Sequence, residues 1–192
     1  MEKIIKLRKI FSRFKIDGYI IPKNNNFFGE YVSEAEDNLK YISNFTGSAG
    51  FAVILKNKNL MFVDGRYTDQ ANIQCEKYYK IFTIPKKYPF NVFNNKNLNL
   101  GFDPRLHTEN SLNRLFKNSF IKLKPINENL IDLIWKRKKD TNIKPFYLIK
   151  DINAGAKLES KLSDLNKLIK SNKVDYLFTT ASENVAWLTN IR

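Results

Sequence analysis

The sequence predicts an α/β fold, a mixed sheet with flanking helices, followed by a truncated second copy of the same module. Three observations point there. Short apolar, β-branched runs alternate with stretches whose apolar residues recur at helical spacing, the pattern of a sheet covered by helices. Two Gly-punctuated turns, Gly47-Ser48-Ala49-Gly50 and Asp64-Gly65-Arg66, bracket a hairpin between Asn44 and Ala71. Finally, the end of the chain echoes its beginning. Ile16-Asp17-Gly18-Tyr19-Ile20 is answered, with one gap, by Val174-Asp175-Tyr176-Leu177, and DNLKYISNF at 37–45 by ENVAWLTNI at 183–191.

Each element follows from local chemistry. Ile4, Ile5, Leu7, Ile10, Phe11 and Phe14 share a helical face, which predicts a helix over 2–14. Tyr19-Ile20-Ile21 ahead of Pro22 predicts a strand. Ser33-Glu34-Ala35-Glu36 has the form of a capping box and predicts a helix from there to Ser43. Residues 51–55 and 60–63 are the strands of the hairpin, with Lys56-Asn57-Lys58-Asn59 as its turn. Asp64 stands where a helix N-cap belongs, with Gly65-Arg66-Tyr67 as first turn and 68–75 as the helix. Gly47 to Gly50 is expected to turn through the positive φ that glycine tolerates. Residues 78–84, 98–102 and 120–123 predict further strands, and 108–118 and 129–135 further helices. A charged break, Lys136-Arg137-Lys138-Lys139-Asp140, ends at Pro145. The expected domains are therefore 1–136, a linker over 137–155, and the incomplete start of a second domain over 156–192. That last part predicts a helix over 156–171, a strand over 176–178 and a helix over 183–191. A lone strand cannot make a sheet, which points to a fragment of a longer protein.

Composition narrows the function. Hydrophobic residues at 43% and aromatics at 14% supply a packed core. No apolar run reaches the ~18 residues of a membrane span, so no membrane contact is expected. The start, MEKIIKLRKIF, carries charges throughout and lacks the apolar stretch of a secretory signal. Cys75 has no partner for a disulfide, which suits the cytoplasm. It reads as a buried small residue, not a nucleophile. The 33 Lys+Arg against 19 Asp+Glu give a net charge of +14. Arginine, the residue favoured for bidentate phosphate and base contacts, occurs only at positions 8, 13, 66, 105, 114, 137 and 192. The lysines come with abundant Asn and Ile, the joint bias of an AT-rich coding sequence. The charge is therefore read as a solvated surface, with no nucleic-acid partner.

Catalytic signals are sparse. Gly47-Ser48-Ala49-Gly50 lacks the spacing of a nucleophile elbow and the Lys of a phosphate-binding loop, so Ser48 reads as a turn residue. His107, the single histidine, precedes a predicted helix with no companion ligand, so it reads as a helix-start residue. Trp135 and Trp187, spaced with Leu133 and Leu188, read as core.

Seven segments together carry a resemblance: YIIP (19–22), GEYVSE (29–34), ISNFTGSAG (42–50), FVDGRYTDQA (62–71), GFDP (101–104), NLIDLIW (129–135) and ENVAWLTNIR (183–192). In order and spacing they resemble the N-terminal part of aminopeptidases P, the Xaa-Pro aminopeptidases of the creatinase/prolidase-like metallopeptidase group. Two successive modules resemble the long, three-domain members. The resemblance implies hydrolysis of the bond before a penultimate proline. It also implies two metal ions, usually manganese, held by two Asp, one His and two Glu of a C-terminal "pita-bread" domain that lies outside this chain. By this resemblance the chain holds no catalytic residue or metal ligand and is inactive alone. It shapes the substrate cleft and contributes contacts of a homodimer, while the parent acts on proline-containing peptides in the cytoplasm. Asp64, Arg66 and Tyr67 are the candidates for facing that cleft, with Arg66 binding peptide. The plainer reading of these residues is a cap and a local salt bridge. Two alternatives stand beside this reading of the chain: a stand-alone, non-enzymatic protein-binding module of the same fold, and a basic nucleic-acid-binding domain.

Overall fold

A computed structural model of the chain describes residues 1–29, 31–94, 96–137 and 144–192. They form two compact units, Met1–Asn26 with Glu30–Lys139, and Phe27–Gly29 with Asp140–Arg192.

The first unit is built on β1 (Gly18–Pro22), β2 (Gly50–Leu55), β3 (Asn59–Asp64), β4 (Lys80–Ile84), β5 (Leu98–Phe102) and β6 (Ile121–Pro125). They form one sheet in the order β4-β3-β2-β1-β5-β6. β2 runs antiparallel to both neighbours, and the other pairings are parallel. Alternation along each strand sends residues to opposite faces. Tyr19, Ile21, Ala52, Ile54, Met61 and Val63 join the core on one face, together with residues of α1 (Glu2–Ile10), α2 (Asn38–Ser43) and α3 (Thr68–Cys75). Ile20, Phe51, Val53, Leu60 and Phe62 join the core on the other, with residues of α4 (Pro89–Val92) and α5 (Glu109–Phe116). The central strand β1 is buried along its whole length, as a strand with helices on both faces must be. Each fully buried aliphatic or aromatic side chain here contributes about 1.5–3 kcal/mol. Phe51, Phe62 and Phe82 stack across β2, β3 and β4 at ring separations of 4.9 and 5.1 Å.

Several expectations shift. α1 stops at Ile10, and residues 11–15 turn so that Phe11 stays buried. α2 starts at Asn38, not near Ser33. Asp37 is the cap, accepting from Lys40 N at 2.9 Å, and it also pairs with Lys23 Nζ at 2.5 Å. Ser33 Oγ instead donates to Glu36 Oε2. The Asp37 carboxylate places negative charge at the positive end of the helix, and Lys23 fixes its position there. Residues 129–135 form successive turns in place of a helix. Their conformation follows Leu130 and Ile131, both fully buried, and Asn129 Oδ1, which accepts from Ile131 N at 2.9 Å. α4 had no precursor in the sequence reading; Pro89 opens it, and Asn91 Oδ1 accepts from Tyr88 N at 3.0 Å. Most of the charged break lies outside the described residues, and of it only Lys136 and Arg137 are described.

The end of this unit is tied back to its beginning. Trp135, half-buried, stacks on Tyr41 at 4.4 Å and 11°. Arg137 lies 4.5 Å above the Trp135 ring and Lys3 Nζ 4.4 Å from the Tyr41 ring. Arg137 also donates to Ala35 O, to Asn38 Oδ1 and to Asp132.

The second unit contains α6 (Asp151–Ala154), α7 (Leu158–Ser171) and α8 (Ser182–Thr189). Lys161, 6% exposed, links the two longer helices: its Nζ donates to Trp187 O and Asn190 Oδ1, each at 2.6 Å. Trp187 is a correction to the expected core residue, since it is 58% exposed beneath the Lys161 ammonium. Residues 176–178 are also corrected. They have no ladder partner among the described residues and are largely exposed, so no strand forms. The echo seen in the sequence is real in the backbone. Asn44 ends α2 and Asn190 ends α8, each in the left-handed conformation, with φ 65° and 56°. Among the described residues, no helix is long and apolar enough to cross a membrane.

Candidate functional site

Because β1, β3, β4, β5 and β6 run the same way, their carboxyl ends share one edge of the sheet. Open α/β sheets place functional groups there. Asp64, Arg66 and Tyr67 lie on this edge, at the end of β3. Asp64 Oδ1 accepts from Arg66 N at 3.0 Å and from Arg66 Nε at 2.9 Å, so one carboxylate oxygen both caps the 3₁₀ turn Gly65–Tyr67 and holds the guanidinium. The Arg66 side chain holds the Asp64 carboxyl below its ordinary range. Nη1 and Nη2 of Arg66 have no hydrogen-bond partner among the described residues, and its side chain is 73% exposed. That leaves a planar donor edge of the kind that takes carboxylates and carbonyls in pairs.

The two glycine-bracketed turns meet at Tyr67. Its hydroxyl is 2.6 Å from Ser48 Oγ, and its ring stands edge-on to Phe45 at 6.1 Å. Thr46 gathers Gln70 Nε2 at 2.8 Å and Gln74 Nε2 at 2.9 Å. Together these form a polar rim. Here the glycines have a different job from the expected one, since neither Gly47 nor Gly50 has positive φ. They are needed for close approach. A Cβ on Gly50 would lie 2.9 Å from Phe62 O, and one on Gly47 would lie 2.3 Å from the Phe45 ring.

The same turn recurs at the end of β5, and the sequence reading missed it. Asp103 Oδ1 accepts from Arg105 N and Arg105 Nε, each at 3.0 Å, and Oδ2 accepts from Nη2 at 2.8 Å. The repeated Asp-x-Arg after an apolar strand was the available signal. Asp103 differs from Asp64 in being 1% exposed.

Among the described residues, no group of three or more His, Cys, Asp or Glu side chains is placed to hold a metal ion. His107 is half-buried, with its Nε2 enclosed and without a hydrogen-bond partner among the described residues, and stands edge-on to Phe102 at 5.7 Å. Burial lowers its pKa to about 4. Among the described residues, the donor set therefore does not fit a metal pair.

The creatinase/prolidase N-terminal domain model matches residues 3–132, and a second model of the same description matches residues 136–192. This chain belongs to the creatinase/prolidase N-terminal domain family. Within the family it is 29% identical over its whole length to a probable Xaa-Pro aminopeptidase P of Blastomyces gilchristii, covering 33% of that protein. It superposes along its full length on an X-prolyl aminopeptidase of Caenorhabditis elegans, described as a cytosolic enzyme with a di-nuclear active site. There the TM-score is 0.82 at 26% identity, over 34% of that chain. The N-terminal domain of a cytoplasmic peptidase from Mycobacterium tuberculosis shares the fold over 70% of this chain and 98% of its own, with TM-score 0.55 and 18% identity. The chain thus spans about a third of the length of the curated relatives it matches.

Proposed function

We propose that this chain is the non-catalytic N-terminal portion of a metal-dependent Xaa-Pro aminopeptidase, an enzyme that removes the first residue of peptides whose second residue is proline. The observation that carries this reading is similarity along the entire chain, through both modules, to such enzymes in sequence and in fold. The metal pair, with manganese as the expected ion, belongs in this reading to a catalytic domain that follows. The domains proposed for this portion are 1–136, a linker over 137–155, and the start of a second over 156–192. A cytoplasmic location fits the cytosolic relative. The first test is to sequence the transcript beyond the Arg192 codon and assay the encoded protein on an Xaa-Pro peptide with manganese. Turnover is expected, together with a downstream set of two Asp, one His and two Glu. The 192-residue chain alone should show none. Turnover by that chain, or its absence from the longer protein, would overturn the proposal.

Asp64, Arg66 and Tyr67 are proposed to face the substrate cleft of the assembled enzyme. The unpartnered Nη1 and Nη2 of Arg66 support this, since a guanidinium fixed only through Nε is presented ready-oriented to a peptide. Arg66→Ala in the longer protein should raise KM for longer peptides while leaving kcat nearly unchanged. Unchanged kinetics would remove the residue from the cleft. Homodimer contacts through this portion are proposed on the same resemblance, and sedimentation of the longer protein tests them.

A further inference from the structure

From β1 the sheet is built outward to β2, β3 and β4 on one side, then resumes at β5 and β6 on the other. The β1/β5 junction is therefore the point where strand order reverses, and loops leaving the carboxyl ends of those strands diverge to leave a crevice. Here the crevice is a pocket of about 170 Å³ whose lining includes Asn25, Glu36, Asn38, Arg105, Asn129 and Asp132. That is the volume of roughly five or six waters, enough for a small amino acid.

Its polar groups have an orientation that can be deduced. Arg137 Nη2 donates to Asn38 at 2.7 Å. A guanidinium has only donors, so the Asn38 atom facing it is the amide oxygen. Ile131 N likewise fixes the oxygen of Asn129 at 2.9 Å. The amide nitrogens of both residues are left without a partner among the described residues, although the residues are only 4% and 5% exposed. Neither nitrogen is sealed in protein, since His107 Nε2 alone holds that position among the described residues. Both therefore open on the pocket they line. Arg105 spends Nε and Nη2 on Asp103, which leaves Nη1 as a third donor. Against these donors stand two carboxylates, Glu36 and Asp132, the latter held by Arg137 through Oδ1 only.

We propose that this pocket binds the zwitterionic head of a free α-amino acid. Its carboxylate meets the Arg105, Asn38 and Asn129 donors, and its ammonium meets Glu36 and Asp132. A simple anion would face two carboxylates, and a simple amine would face Arg105, so the mixed lining selects a ligand carrying both charges. The site needs neither a metal nor a catalytic domain, and it stands whether or not the peptidase reading does.

The test is titration of the isotopically labelled 192-residue chain with L-alanine, observed by NMR at side-chain amides. Saturable shifts of the Asn38 and Asn129 NH₂ signals are expected, with Kd of about 0.1–5 mM. Inorganic phosphate and methylamine, which each carry half of the ligand's charge pattern, should bind about tenfold more weakly or not at all. Arg105→Gln and Glu36→Gln should each weaken alanine binding about fivefold. Glu36→Gln preserves shape and leaves the Arg105–Asp103 pair intact, so it reads the site even where Arg105→Gln disturbs the fold. The proposal is overturned by the absence of saturable shifts up to roughly 50 mM alanine. Phosphate binding as tightly as alanine, or unchanged affinity in Glu36→Gln, would also overturn it.

Discussion

Lys15 and Lys173 occupy the same left-handed backbone conformation, φ 50° and 53°, at the same point of their two modules. Each closes the opening helical segment with the same pair of bonds. Lys15 N donates to Ser12 O and Ile16 N to Phe11 O, while Lys173 N donates to Lys170 O and Val174 N to Ile169 O, all between 3.1 and 3.2 Å. This is the arrangement that usually employs glycine after a helix, because a side chain there is strained. Lys15→Gly should therefore stabilise the first unit by about 0.5–1 kcal/mol, the relief of strain exceeding the added freedom of the unfolded chain. Urea unfolding followed by circular dichroism measures it, and a lower midpoint would contradict the assignment.

The two Asp-x-Arg turns should respond unequally to the same change. Asp103 is buried and accepts three donations from Arg105. Asp103→Asn replaces one acceptor oxygen by a donor that faces the guanidinium, and should cost about 2–3 kcal/mol. Asp64→Asn, on an exposed turn, should leave the melting temperature nearly unchanged. Equal losses in calorimetry would show that burial does not separate the two turns.

His107 gives stability a pH dependence of defined sign. Burial lowers its folded pKa to about 4, with the Asp103 charge pulling weakly the other way. The unfolded value is about 6.5. Between these values the unfolded chain binds the extra proton, so this contribution is complete above pH ~6.5 and is lost as pH falls toward ~4, at most about 3 kcal/mol. His107→Phe should flatten the stability profile across that window. An unchanged slope would show that other groups set it.

Cys75 is predicted to be inert in the folded chain. It is 2% exposed, its Sγ donates to Ser43 O at 3.4 Å, and burial pushes its pKa up to about 11. A thiol reagent should label it only at the rate of unfolding, so labelling should accelerate with urea. Fast labelling in buffer would mean that the α3 region opens locally.

Much of the fold was legible because the signals are local. The hairpin strands, the Asp64 cap and the helix predicted from 108 were each placed by a few adjacent residues, and Thr108 Oγ1 caps that helix by accepting from Ser111 N. What failed depended on distant partners. Asp37 displaced Ser33 as cap because Lys23, at the far end of the same β1–α2 connection, holds its carboxylate, and residues 129–135 took their shape from the core they seal. The pocket at the β1/β5 junction draws on residues from 25 to 137, which only the sheet order brings together. Arg66 was singled out by its tight turn, whereas Arg105, in a turn of the same geometry, was passed over because proline hid the likeness to Asp64-Gly65-Arg66.

Lys3 and Trp135 both rest against the ring of Tyr41, so the first turn and the last turn of the unit lie side by side. A chain segment whose ends adjoin can be recut at a surface loop with its old ends joined. The aromatic clasp around Tyr41 thus makes the first unit fit for circular permutation.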